Sequence, residues 1–225
     1  MAQTFAFLSQ TEVDLANKAA NNFGFSVDAK LFDTDAVINL DDIDSLWLNF
    51  YSGQSKATNY DRDQLSDWVY DGGSLVLMDA NNASLDNENE TYQSNPRNYL
   101  IPGDYNLEYN WEPGENIDFT NGSLTLPGEK IFPDDPEIVL DETTFDNRGN
   151  SFHGYITKES LSDDMNVIHA IGNDDSKVTG LYYQYGEGDV YVQTSPDHNY
   201  SNGWSNFVMA WVGHEAGALD LSPLG

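Results

Sequence analysis

Cysteine is absent from all 225 residues. That excludes disulfides, zinc–thiolate sites and any thiol nucleophile, and it leaves the redox compartment open. Basic residues are scarce as well: 9 Lys and Arg stand against 38 Asp and Glu, a formal net charge of -29. A surface of that sign repels phosphates and anionic headgroups, so nucleic acid and membrane surfaces are not expected partners. Cations and basic proteins are. Long apolar runs are also lacking, and the N-terminal MAQTFAFLSQ has no basic n-region. Neither a membrane-inserted helix nor a signal peptide is therefore expected.

What remains suffices for a packed core. With 39% hydrophobic and 13% aromatic residues, the chain reads as one domain over residues 1–225 rather than as a disordered segment. Its acidity has three candidate causes: calcium-neutralised carboxylates in an extracellular or surface setting, adaptation to a salty cytoplasm, and mimicry of a polyanion. Asp outnumbers Glu about two to one, Asn is abundant, and Lys exceeds Arg. Short loop carboxylates fit the first cause best, and a salt-adapted cytoplasm is the alternative. The densest acidic stretch holds Asp33, Asp35, Asp41, Asp42 and Asp44, the expected Ca²⁺ ligands if any cluster binds metal. Asp86/Glu88/Glu90, Asp134/Asp135 and Asp174/Asp175 are sparser, and none of these matches an EF-hand loop, whose glycine permits the sharp turn. The bland reading is solvated carboxylates and no required cofactor. Four N-x-S/T sequons, at Asn82, Asn89, Asn121 and Asn199, would be glycosylated only in a host that does so.

Hydrophobic spacing gives the elements. TFAFL reads as a buried strand, and Ser9-x-x-Glu12 as a capping box opening a helix over 11–23 that Gly24 ends. Residues 25–31 alternate like an edge strand, and SLWLNFY and SLVLM are apolar enough for central strands. Between these two, Asp61 opens a helix over 62–71 and Gly72-Gly73 closes it. From about 82 to 158 the pattern changes to short strand pieces among Pro, Gly, Asn and Asp, with Asn121-Gly122 reading as a hairpin between IDF and LTL. MNVIHAI then resumes the sheet, VTGLYYQY and DVYVQTS flank Gly186-Glu187-Gly188 as a hairpin, and an aromatic helix near 203–212 closes the fold. The alternation predicts an α/β, flavodoxin-like, doubly wound and mainly parallel sheet with a β-rich insertion.

Three segments carry a resemblance to a known superfamily: LWLNFYSGQ…LSDWVYDGGSLVLMD, YGEGDVYVQTSPD and NFVMAWVGH. Together they resemble the class I glutamine amidotransferase-like superfamily, most closely its ThuA-like branches, over about residues 4–81 and 165–214. The resemblance implies a cysteine on a sharp turn after a central strand, activated by a histidine in Q-x-H-P-E. Here the turn reads Met78-Asp79-Ala80-Asn81, and Ser195 in Gln193-Thr194-Ser195-Pro196-Asp197 replaces the histidine. Nucleophile and base are both missing, which points to a non-catalytic relative.

Ligands of open α/β sheets bind beyond the carboxyl ends of the strands. Ser9, Gln10, Ser52, Gly53, Gln54, Asp79, Asn81, Asp197 and His198 are therefore the candidate lining of one polar crevice. Helix caps and turn formers explain the same residues more plainly. An Asp79–His198 pair, or Ser195 with His198 as base, would be the catalytic arrangement, but Ser195 lacks the G-x-S-x-G turn. His153, His169 and His214 show no ligand spacing and read as structural or exposed. Asp79 is expected to accept bonds from the turn it begins, or to bind a polar ligand or cation. The leading expectation is an extracellular or surface binding or structural module, self-associating or contacting carbohydrate; a glycan or ester hydrolase is the runner-up.

Overall fold

The structure is a computed structural model that describes residues 2–32, 39–50, 60–80, 98–112, 117–119, 124–126, 138–140, 153–172, 174–194 and 202–219. Its strands, in chain order, are β1 (Gln3–Phe7), β2 (Val27–Leu31), β3 (Ser45–Asn49), β4 (Ser74–Met78), β5 (Tyr109–Asn110), β6 (Ile117–Phe119), β7 (Leu124–Leu126), β8 (Ile138–Leu140), β9 (Tyr155–Thr157), β10 (Asn166–Ile171), β11 (Asp174–Tyr185) and β12 (Gly188–Gln193). The helices among the described residues are α1 (Gln10–Phe23), α2 (Arg62–Tyr70) and α3 (Asn202–Glu215).

A mixed α/β sheet of ten strands organises the chain, in the order β2-β1-β3-β4-β12-β11-β10-β6, with β9 paired to β11 and β5 to β9. From β2 to β12 the neighbours run parallel; β11, β10, β6, β9 and β5 join antiparallel. The central parallel strands β3 and β4 carry apolar runs because both of their faces are covered. On one face Phe5, Phe7, Trp47, Val76 and Met78 pack against Val13, Ala16 and Ala19 of α1 and Phe207, Val208 and Trp211 of α3. On the other, Ala6, Leu46, Leu48, Leu75 and Leu77 meet Leu65 and Val69 of α2.

The helix ends follow the sequence signals with one exception. Gly24 adopts φ 80 and donates its N–H to the Ala20 carbonyl, a left-handed closure that glycine makes without a Cβ penalty. Asp61 Oδ1 accepts from the Gln64 N–H at 3.0 Å. Ser9 does occupy the N-cap in extended backbone, yet its side chain makes no capping bond. Glu12 is fully buried instead of reaching back. It lies on the same helical stripe as Ala16 and Ala19, so core packing overrides the capping box.

Asn121 and Gly122 lie outside the described residues, but the strands on either side of them are not paired as a hairpin among the described residues. β6 pairs with β10 and β7 with β8, so IDF and LTL belong to different sheets. Pairing with a distant strand outweighs a favourable local turn sequence, as it commonly does for short strands. The inserted stretch thereby supplies strands to the main sheet as well as a separate two-stranded one.

Candidate functional site

Asp79 directly follows β4, and its backbone turns into the left-handed region at φ 54, unlike any other non-glycine among the described residues. Such a conformation costs on the order of 1 kcal/mol or more for a residue with a Cβ, and its persistence requires compensating contacts. The compensation is visible. The Asp79 carboxylate is fully buried and accepts from His153 Nδ1 at 2.9 and 3.1 Å.

His153 reaches the tip of β4 because β9 continues where β12 stops. β12 pairs with β11 as far as Gln193 opposite Gly180, and β9 takes over with Ile156 opposite Val178. Thr194 joins the two segments: its N–H donates to Thr179 at 2.8 Å, its hydroxyl to the Gly154 carbonyl at 2.6 Å, and its carbonyl accepts from the His153 N–H at 3.3 Å. Since β12 is the neighbour of β4, His153, two residues before β9, lands beside Asp79. The β5–β9 pair thus sets His153 at the carboxyl end of the parallel strands.

Trp111 completes the arrangement. β5 pairs with β9, Asn110 opposite Tyr155, and the next residue lays its indole on His153, with centroids 5.6 Å apart and planes 22° from parallel. Asn110 Nδ2 donates to Thr157 Oγ1 at 2.8 Å. Lys177 Nζ binds the Glu112 carboxylate at 3.0 and 3.2 Å and sits 5.0 Å above the Tyr155 ring. These contacts fix the strand pair that carries the indole. Even so, 56% of Trp111 is open to solvent.

The electrostatics favour a charged pair. The bond to Asp79 pushes the His153 pKa above 6.5, and partial burial only opposes it. The stabilisation from this pair is therefore complete below the ordinary imidazole pKa and is lost as pH rises through the raised one. A carboxylate with no solvent exposure cannot touch a ligand; Asp79 instead fixes which imidazole nitrogen carries the proton and how the ring is turned. What stays open to solvent is 18% of the His153 side chain and 56% of Trp111.

The sequence put Asp79 at the strand end and read His153 as structural or exposed; the structure joins the two across 74 positions, a distance at which no spacing rule operates. Trp111 was missed too; its one signal is a tryptophan in a stretch poor in apolar residues. Ser9 begins α1 at the end of β1, while Gln10 turns to Asp14 of its own helix at 2.9 Å. Ser52, Gly53, Gln54, Asn81, Ser195, Asp197 and His198 lie outside the described residues, as do Asp33, Asp35 and the sequons at Asn82, Asn89, Asn121 and Asn199. Asp41 and Asp42 are exposed in a short turn. Asp44 binds β1 through Thr4 N–H at 2.7 Å and β4 through its own carbonyl and Ser74 N–H at 2.9 Å. Among the described residues no group of three or more His, Asp and Glu is placed to hold a metal.

No family model matches the sequence, and no curated protein matches it. Solved structures do. The carbohydrate deacetylase Agd3 is similar to it with a TM-score of 0.50 at 9% identity, over 96% of this chain and 32% of that one. A cytoplasmic protein of Salmonella typhimurium LT2 gives 0.49 at 12% identity, over 98% and 100%. An exo-β-1,4-mannosidase from an Opitutaceae bacterium, strain TAV5, gives 0.46 at 13%, over 96% and 35%. The chain spans about a third of the length of the two carbohydrate enzymes. At these identities the first likeness shows the α/β fold alone, and the others carry no argument.

Proposed function

We propose that this chain is a carbohydrate-contacting binding module, extracellular or at a cell surface, built on a flavodoxin-like, doubly wound, amidotransferase-like core. The observation that carries the reading is the fixed yet open indole of Trp111 above the Asp79–His153 pair. An aromatic face left in water costs free energy, and one held rigid by a strand pair and a buried ion pair loses little entropy when a ligand covers it. The C–H face of a pyranose fits such a ring, while the imidazole edge offers a polar contact to a hydroxyl. Agd3's carbohydrate substrate agrees with this ligand class, although fold likeness does not carry it.

Titration of neutral oligosaccharides, followed by tryptophan fluorescence and calorimetry, tests the proposal. Binding should be abolished in Trp111→Ala and weakened in His153→Ala. A glycan panel that leaves the wild type silent, or binding that survives Trp111→Ala, would sink it.

The Asp79–His153 pair favours a second reading, a glycan or ester hydrolase at the same crevice. A buried acid orienting an imidazole at a strained strand tip is the base half of a hydrolytic site. Turnover of a glycan or ester lost in His153→Ala, with the fold intact, would decide for it. A thiolate glutaminase is excluded by composition, since the chain has no cysteine.

A further inference from the structure

At the opposite end of the sheet lies a carboxyl group that the crevice does not use. Glu215, the last residue of α3, sends its side chain beneath the first residues of β3 and β4. Oε2 accepts from Ser45 Oγ at 2.8 Å and Trp47 Nε1 at 3.2 Å. Oε1 accepts from Ser74 Oγ at 2.5 Å and Trp211 Nε1 at 3.2 Å. The residue as a whole is partly exposed because it ends a helix, yet its carboxyl group turns inward onto four protein donors. Each oxygen thus has two donors, the Trp47 N–H being shared with Ser45 Oγ at 3.0 Å.

All four donors are neutral, and among the described residues the partners of the carboxyl group include no cation. Among the described residues, β12 faces the group with Asp189, whose charge disfavours ionisation of Glu215 and whose Oδ1 takes the Tyr182 hydroxyl of β11 at 2.5 Å. β1 contributes Gln3, whose amide donates to the Glu215 carbonyl at 3.4 Å. α1 meets this end of α3 through the ring of Phe23. On α3 itself His214 is the one basic residue of the last turn, and its ring lies against Trp211 and Tyr182. The negative end of the helix dipole adds to the cost of a carboxylate here.

We propose that Glu215 is a proton-operated latch between α3 and the sheet: protonated, it fastens the helix end to β3 and β4, and ionised, it loosens that end. The protonated carboxyl still accepts from both indoles, and the Ser45 hydroxyl beside Oε2 turns to receive its proton. The ionised form must hold its charge on neutral donors. Burial accordingly moves the group from 4.5 to about 7 against the opposing pull of those hydrogen bonds. A raised folded-state value means that the stabilisation is complete below the ordinary carboxyl range and is lost as pH rises through about 7. The latch therefore works across neutral pH, where few carboxylates titrate.

The test uses the full chain and a Glu215→Gln variant, both in a Trp111→Phe background so that the ring on His153 does not report. Indole emission is followed from pH 5.5 to 8.5, with amide exchange of residues 208–215 corrected for its intrinsic pH dependence. The parent should show a spectral midpoint near 7 and about tenfold more opening at pH 8 than at pH 6. The Gln variant, neutral at every pH, should show neither. A transition that persists in Glu215→Gln assigns the effect to another group such as His214, and a parent without one removes the latch; either result overturns the proposal. Should Glu215→Gln fail to fold, Ser74→Ala decides: losing a donor that favours the ionised form must raise the midpoint, and an unmoved midpoint refutes the latch.

Discussion

Lowering the pH from 7 to 5 should set two buried groups, His169 and Glu215, against each other, with contributions to stability of similar size and opposite sign. His169 is fully buried between β11 and α3. Its Nδ1 lies 2.7 Å from Thr179 Oγ1 and its Nε2 lies 2.8 Å from the Tyr191 hydroxyl, which donates to Gln193 Oε1 at 2.9 Å. With the tyrosine proton given to Gln193, Nε2 carries the imidazole proton and Nδ1 accepts from threonine. Burial pushes this imidazole from 6.5 down to about 3. A depressed value means that its contribution is complete above 6.5 and is lost as pH falls, since the unfolded chain gains a proton that the folded chain refuses. Integrated from pH 7 to 5, the loss is about 2 kcal/mol. Over the same interval the raised value of Glu215 yields a gain of about 2 kcal/mol by the same linkage, with the sign reversed.

Urea denaturation at both pH values separates the two terms. His169→Gln should gain about 2 kcal/mol on acidification relative to the wild type, Glu215→Gln should lose as much, and the double variant should parallel the wild type. Self-repulsion of the -29 chain also falls on the way to its pI of about 4.1, but it is nearly common to all four proteins and cancels in the comparison. Parallel curves for His169→Gln and the wild type would refute the assignment of a neutral buried imidazole.

What the sequence disclosed and what it withheld follow the range of the interactions concerned. β1, α1, β3, α2 and β4 were legible because each is specified by neighbours: apolar runs for strands covered on both faces, and Gly24 and Asp61 for helix ends. The β11–β12 hairpin was legible for the same reason, its turn being the adjacent residues Gly186 and Glu187. The partners of β6 and β7 were not, because edge pairing is chosen by which backbone stands open after the rest has folded. Glu12 shows the same limit at side-chain scale, since whether it caps or is buried depends on what α1 packs against. The site needs three segments, at Asp79, Trp111 and His153, and its assembly depends on β9 taking over from β12 alongside β11. That replacement leaves no periodic trace, so the sequence could name one member of the site and not its partners.

Gly188→Ala should cost about 1–3 kcal/mol in denaturation, because a Cβ there would stand 2.1 Å from the Val69 carbonyl oxygen and 2.3 Å from that of Gly73, backbone atoms with nowhere to go; a neutral substitution would mean that α2 sits elsewhere. Monovalent salt should raise the melting temperature by screening a net charge of -29, and Ca²⁺ should match Mg²⁺ at equal ionic strength, whereas a clear excess for Ca²⁺ would assign a specific site to the acidic stretch at Asp33–Asp44. Substitutions at Asp79 decide why a strained residue stands at the strand tip. Asn tolerates the left-handed backbone and glycine adopts it freely, so if the turn alone mattered, Asp79→Gly would be neutral or stabilising. The bond to His153 argues otherwise, because a hydrogen bond between charged groups contributes about 1.5–3 kcal/mol and neither variant restores it. Both should therefore be destabilised near neutral pH and converge on the wild type at high pH, where His153 has lost its proton. In both, the His153 titration followed by NMR should move down from its raised position. Asp79→Gly at wild-type stability with an unmoved histidine would show that the carboxylate orients nothing, and the crevice would lose its organising pair.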